Sequence, residues 1–263
     1  MNVVIVAVLL IAFFFWEIPL LLTIIFSSKE TIKRRTLFFE DKAIGSIISL
    51  FHTYRGFAVQ FENRIGQTLP ERYVVVSNHQ SLLDIPIIMD LLPDGGRARF
   101  VAKQELAWGI PLISLLLRTS GHCLVRRKGD ALQAVRSVRA MAQRCKAEGT
   151  IPAIFPEGTR SRTGALGIFH SAGYRKILEV EPLPILVIAV EGGWKVAKLR
   201  DFFRNFGKTA YSVRFLAVLP APNGRKEALA MLEKSRALIA ESLEESRGER
   251  PRTRPSGADR KIS

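Results

Sequence analysis

Residues 73–84 read Tyr-Val-Val-Val-Ser-Asn-His-Gln-Ser-Leu-Leu-Asp, an apolar run that ends in a polar turn. The run 73–77 reads as a strand buried on both faces, because nothing in it alternates with polar residues. Five positions along one ideal helix leave two side chains about 140° apart, so His79 and Asp84 cannot meet on a single helix. They can meet if His79 lies in the turn and Asp84 in the first helical turn behind it. A strand–turn–helix junction offers that geometry. It also suits chemistry: a histidine near neutral pH can be a general base, and a carboxylate on its other ring nitrogen fixes the tautomer.

Working outward, 99–102, 122–126, 150–155, 184–190 and 211–218 also read as short strands, most of them continuous apolar runs. Between two of them lies a helix, with Asp130 as N-cap and Gly149 as stop. Its apolar stripe is Leu132, Val135, Val138, Ala142 and Cys145, and Arg136, Arg139, Arg144 and Lys146 form a solvated basic face. A last helix covers roughly 225–245. The pattern gives an α/β fold, a single mostly parallel or mixed sheet flanked by helices.

The second chemical segment is Phe155-Pro156-Glu157-Gly158-Thr159-Arg160-Ser161, again just past a strand. Gly158 allows a tight turn with exposed N–H groups, Thr159 and Ser161 offer hydroxyls, and Arg160 offers a bidentate fork. Such a set suits a phosphate monoester. An ionised Glu157 cannot bind phosphate; it can orient Arg160 or accept a hydrogen bond from a hydroxyl. Lys103, Arg126 and Arg127 also sit at strand ends, and strand ends on one edge of a parallel sheet lie side by side.

The chain has 263 residues, 48% hydrophobic and 24% charged, which excludes a disordered chain. Cys123 and Cys145 are the only cysteines and match no zinc-ligand spacing, so neither a disulfide scaffold nor a structural metal is expected. The net charge of +15 calls for an anionic partner. Residues 3–26 form a 24-residue apolar stretch broken only by Glu17 and Pro19, and about 20 residues suffice to cross a bilayer. No basic n-region or cleavage site makes it a signal peptide. Segment 1–28 therefore reads as a membrane anchor, either a single span or a re-entrant pair of half-helices broken at Pro19. Lys29, Lys33, Arg34 and Arg35 then place the rest of the chain on the cytoplasmic side, at the inner membrane if the cell is bacterial.

Segment 29–66 reads as a basic, amphipathic helical element. Ile44, Ile47, Ile48, Phe51, Tyr54, Ala58 and Phe61 follow the helical period, and the stripe suits a membrane interface or a soluble core equally. Residues 67–246 hold the α/β domain. The tail 247–263 has six basic and two acidic residues and is expected to be disordered, a tether to anionic lipid at most.

In order and spacing, four blocks resemble the glycerolipid acyltransferase family that contains the 1-acyl-glycerol-3-phosphate acyltransferases. They are Asn78-His79 through Asp84, Gly121 through Arg127, Phe155 through Ser161, and Leu183-Pro184-Ile185, with Lys103, Leu106 and Pro111 in the stretch between the first two. The resemblance covers about residues 70–190. It departs at Arg126, where an acidic residue often stands, and the register favours Arg127 as the inward residue.

The resemblance implies transfer of an acyl chain from acyl-CoA or acyl-carrier protein to the sn-2 hydroxyl of lysophosphatidate. His79 would be the base, and Asp84 would hold it. Arg160, Arg127, Lys103, Gly158 and Thr159 would hold the phosphate, while Glu157 and Asn78 would orient substrate. It implies no metal and no cofactor. The expected partners are membrane phospholipid and the two substrates, with nucleic acid excluded. Phe169-His170-Ser171-Ala172-Gly173 lacks the first glycine of a nucleophile elbow. Two alternatives stand beside this reading: a relative acting on another lysolipid, such as a lyso-ornithine lipid, and a non-catalytic, membrane-tethered phosphate-binding module.

Overall fold

Residues 2–53, 59–93, 97–126, 131–196 and 210–248 are described by a computed structural model of the chain. Two long helices open it, α1 (Asn2–Phe26) and α2 (Lys29–Thr53), followed by β1 (Val59–Asn63), β2 (Val74–Ser77) and α3 (Asp84–Leu91). Next come β3 (Ala98–Lys103), a 3-10 turn at Gln104–Ala107, α4 (Ile113–Thr119), β4 (Cys123–Val125) and α5 (Ala131–Glu148). The chain continues through β5 (Ile151–Ile154), α6 (Ser171–Val180), β6 (Ile185–Glu191), a 3-10 turn at Gly193–Val196, β7 (Tyr211–Leu219) and α7 (Gly224–Gly248).

The strands form one seven-stranded mixed sheet in the order β1-β7-β6-β2-β5-β3-β4. Every neighbouring pair is parallel except β6 and β7. Parallel neighbours need crossover connections, which lay helices on both faces. The central strands show the result. Val74, Val76, Ile185, Val187 and Ile154 pack on one face with Val138 and Met141 of α5, Ile177 of α6 and Leu232 of α7. Their neighbours Val75, Leu186, Ile188 and Ala153 pack on the other face with Ile87 and Ile88 of α3 and with Ile44 and Ile47 of α2. Both residue sets are buried, so no polar alternation is left to read. Each fully buried aliphatic side chain stabilises the fold by about 1.5–3 kcal/mol.

The expected fold class holds. The helical reading of 29–66 needs a correction. α2 ends at Thr53, and 59–63 is strand β1, paired in parallel with β7 so that Phe61 lies beside Val213 and Glu62 beside Arg214. The Phe61 ring meets Phe215 edge-on, with centroids 5.0 Å apart. This long-range pairing, closed by Arg214 on Glu62 at 3.0 Å, overrides the helical spacing. Tyr54 and Ala58 of that stripe lie outside the described residues, as does Asp130.

α5 stops at Gly149 as its sequence indicates, with the Thr150 N–H closing on the Cys145 carbonyl at 3.0 Å. Leu132, read as part of its apolar stripe, is exposed instead, and in the first turns of α5 it is Ala131, Ala134 and Val135 that face the cleft.

α1 is one unbroken helix with Pro19 inside it, so the two half-helices do not form. Val6–Phe26 is the only helix among the described residues long and apolar enough to cross a membrane. Phe13 and Leu20 pack against Phe39 and Ala43 of α2 and Leu112, Leu115 and Leu116 around α4. Phe14, Phe15, Leu22 and Phe26 stay exposed.

Candidate active site

The site lies where β2, β3 and β5 end, on the carboxyl edge of the sheet. In open α/β sheets that edge is where ligands bind. Leaving β2, the chain turns through Ser77–Leu83 into α3, and Asp84 opens that helix. The turn closes on the Asp84 carboxylate. Oδ2 takes the Gln80 N–H at 2.6 Å and the Ser81 N–H at 2.9 Å, and lies 2.7 Å from His79 Nδ1. The Tyr211 hydroxyl donates to Oδ1. Four donors thus compensate a carboxylate with no solvent exposure. Burial, followed by the Asp84 charge, pushes the Tyr211 phenol well above its ordinary range, so it remains a donor.

The His79 ring stacks on Phe155 with centroids 4.0 Å apart and planes 10° apart, and Phe100 stacks on Phe155 in turn. With Nδ1 given to Asp84 and the ring plane fixed, Nε2 is the nitrogen left for the cleft that His79 lines. No hydrogen bond engages it among the described residues.

The Phe155–Ser161 turn is tied to the histidine turn. The Ser161 N–H donates to the His79 carbonyl at 2.8 Å, and the Gly158 N–H closes on the Phe155 carbonyl at 3.0 Å. Gly158 has φ +63°, a backbone state that favours glycine. Glu157 is buried. Its Oε1 accepts the His79 N–H at 2.8 Å and its Oε2 the Gly167 N–H at 2.9 Å. Burial raises its pKa against the pull of those two N–H groups. The substrate-orienting role expected for Glu157 therefore becomes a loop-positioning one, since its carboxylate is buried on these two loops and is not part of the cleft wall.

Asn78 changes in the same way. Its side chain is buried, bonds both the carbonyl and the N–H of Val190 at 2.8 Å, and is not part of the cleft wall. It extends the β2–β6 ladder by one side-chain rung.

The structure brings His79, Lys103, Gly158, Thr159 and Arg160 onto one cleft of about 370 Å³. Arg127 lies outside the described residues, and the Arg126 Nε donates to Gln104 at 2.7 Å. The cleft's other part is apolar, walled by Val101, Leu106, Val125, Ile154 and the α5 residues Ala131, Ala134, Val135 and Val138. Sequence reasoning missed this wall. Its signal was in the sequence, where Val135 and Val138 belong to the apolar stripe of α5 and Ala131 and Ala134 stand beside them at helical spacing. Tyr211 was also missed, and no local signal marks it. Among the described residues no three His, Cys, Asp or Glu side chains cluster as metal ligands.

The fold and the site define a class: an α/β protein with a histidine–carboxylate pair beside a cationic turn, both opening on an apolar slot. The chain belongs to the acyltransferase family, whose model matches residues 58–191. It is 30% identical over 181 residues to the human 1-acyl-sn-glycerol-3-phosphate acyltransferase alpha, an alignment covering 66% of this chain and 59% of that protein. The Cocos nucifera 1-acyl-sn-glycerol-3-phosphate acyltransferase is 34% identical over 132 residues, covering 49% of this chain and 41% of the relative. The chain thus spans less than two thirds of the length of these curated relatives. In fold it is similar to the Thermotoga maritima 1-acyl-sn-glycerophosphate (LPA) acyltransferase PlsC. The TM-score is 0.64 at 20% identity, over 96% of this chain and all of that one.

Proposed function

We propose that the chain moves an acyl group from a thioester, acyl-CoA or acyl-carrier protein, to the sn-2 hydroxyl of 1-acyl-glycerol-3-phosphate. The carrying observation is that His79, backed by Asp84, shares one cleft with Lys103 and Arg160. The names of the relatives supply the acceptor.

His79 Nε2 removes the hydroxyl proton as that oxygen attacks the thioester carbonyl. The tetrahedral intermediate collapses, the carbon–sulfur bond breaks, and the proton on Nε2 passes to the departing thiolate. The Nδ1 bond to Asp84 stabilises the imidazolium between those two steps. Lys103 and Arg160, with the Gly158–Thr159 turn, hold the acceptor's phosphate and so fix the hydroxyl beside Nε2. The apolar wall of α5 and the strand ends takes an acyl chain.

The same reading makes α1 a membrane anchor, with Lys29, Lys33, Arg34 and Arg35 on the cytoplasmic surface and the basic segment from 247 onward a tether to anionic lipid. The exposed apolar face of α1 supports it. The test is turnover by the purified full chain with acyl-CoA and a panel of lysolipids. Lysophosphatidate should be the acceptor used best. Turnover confined to acceptors without a phosphomonoester would overturn the assignment.

A further inference from the structure

The opposite edge of the sheet carries a second basic cavity, of about 340 Å³, between α2, the start of β3 and the end of α5. Lys29, Lys33, Arg97, Arg99 and Arg144 line it, and Glu148 is the only carboxylate in its described wall, 3.4 Å from Lys33. It shares no lining residue with the His79 cleft. β3 separates the two: Arg99 stands near its start and Lys103 at its end, about 13 Å apart at strand rise.

Glu40 meets Arg99 at 3.0 Å, Glu148 meets Lys33 at 3.4 Å, and Asp41 feels the charges of Arg97 and Arg99. Five cations thus face three carboxylates, and a positive surplus is left that an anion would relieve. Two buried groups there are also unspent. Thr36 Oγ1 and Arg99 Nε make no hydrogen bond among the described residues, although these residues are only 1% and 3% exposed. The Arg99 guanidinium is fixed from its other edge, where one terminal nitrogen donates to Glu40 at 3.0 Å and to the Ala98 carbonyl at 3.1 Å. Gly121, at φ +83°, sits beside both guanidinium groups: a Cβ there would stand 3.9 Å from both Arg99 Nε and Arg144 Nε, and Arg144 Nη2 donates to the Gly121 carbonyl at 3.3 Å. Two guanidinium groups therefore converge over bare backbone. Unpaired buried donors call for a ligand or ordered water.

The groups facing the cavity are mostly donors: guanidinium edges, ammonium heads and a threonine hydroxyl. They match an anion with several oxygens in different directions, which is a phosphate group rather than a planar carboxylate. No base is available there, since His122 beside Arg99 has both ring nitrogens committed, to Phe100 N–H and to Glu40. We propose that this cavity is a second, non-catalytic phosphate-binding site, taking the phosphate of an anionic phospholipid head group or of a soluble phosphate ester. Lys29, three residues past the end of apolar α1, puts the site within reach of head groups.

The test uses the full chain carrying Arg160→Gln, which removes the catalytic cleft's main phosphate ligand. In neutral detergent, inorganic phosphate should raise the Tm of this protein above the effect of sodium chloride at equal ionic strength. Adding Arg97→Gln and Arg144→Gln, both on exposed positions, should weaken that response about tenfold or more. Lys29→Gln is the alternative variant should the double change unfold the chain. For the source, native mass spectrometry follows extraction from nanodiscs of phosphatidylcholine with added phosphatidylglycerol. Retained phosphatidylglycerol, lost in the variants, identifies a lipid head group; a phosphate response with no retained lipid identifies a soluble ester. The proposal is overturned if phosphate acts no differently from chloride, or if phosphate response and lipid retention are the same with and without the far-edge substitutions.

Discussion

Each edge of the sheet holds a histidine against a buried carboxylate, and only one of the two can be a base. At the carboxyl edge His79 Nδ1 lies 2.7 Å from Asp84, and Nε2 is left for the cleft. At the amino edge His122 Nε2 lies 3.2 Å from Glu40, while Nδ1 accepts the Phe100 N–H at 3.1 Å. An amide N–H can only donate, so Nδ1 of His122 carries no proton and the ring is the Nε2–H tautomer. The two pairs thus hold opposite tautomers. What separates catalysis from architecture is whether the second nitrogen is spent.

The largest effect should come from His79→Ala, which lowers kcat by about a thousandfold in acyl transfer. The Tm should fall only modestly, because Asp84 loses its Nδ1 donor but keeps those of Gln80, Ser81 and Tyr211. Substantial remaining activity would erase the contrast between the two histidines.

Glu40→Gln should give the reverse pattern, a loss of about 3 kcal/mol in chemical denaturation for a broken buried pair, with kcat per folded molecule retained. Burial works to raise the Glu40 pKa, but the His122 hydrogen bond and the Arg99 charge outweigh it and hold the carboxyl below its ordinary 4.5. Its contribution is therefore present above that value and lost as pH falls through the lower folded one. The variant should lack this acid-side loss.

Tyr211→Phe comes next. It leaves Asp84 Oδ1 without its phenol donor at a cost of about 1–2 kcal/mol, with a modest fall in kcat and an unchanged KM for the acceptor. An altered KM would place Tyr211 at the substrate. The smallest effect concerns Cys123, next to His122. Burial pushes its thiol up to about 12, so alkylating reagents at neutral pH should leave it unmodified in the folded protein. Rapid labelling would show an amino edge more open than its buried groups imply.

Six of the seven strands were readable, the central ones because a strand buried on both faces cannot hide its apolar run and β7 because its buried and partly exposed residues alternate. β1 was not readable, since it is an edge strand of alternating Val59-Gln60-Phe61-Glu62-Asn63 whose partner lies some 150 positions onward in β7. The site divides the same way. His79 and Asp84 are five residues apart, so their meeting follows from one turn and could be foreseen. The bonds that correct Asn78 and Glu157, and the one that adds Tyr211, span 112, 78 and 127 residues. Only the folded topology brings such partners together, and a linear pattern holds no trace of them. The four sequence blocks pointed to the family that the match over 58–191 establishes.

The turn after β2 belongs to no helix or strand, yet three successive amides in it, those of His79, Gln80 and Ser81, end on carboxylate oxygens. Both acceptors are buried: the His79 amide reaches water only if two segments 78 positions apart are parted, and the Gln80 and Ser81 amides only if the fully buried Asp84 carboxylate is uncovered. Hydrogen exchange at these positions should accordingly be as slow as in the central strands, and a loop by shape should exchange with the kinetics of the core.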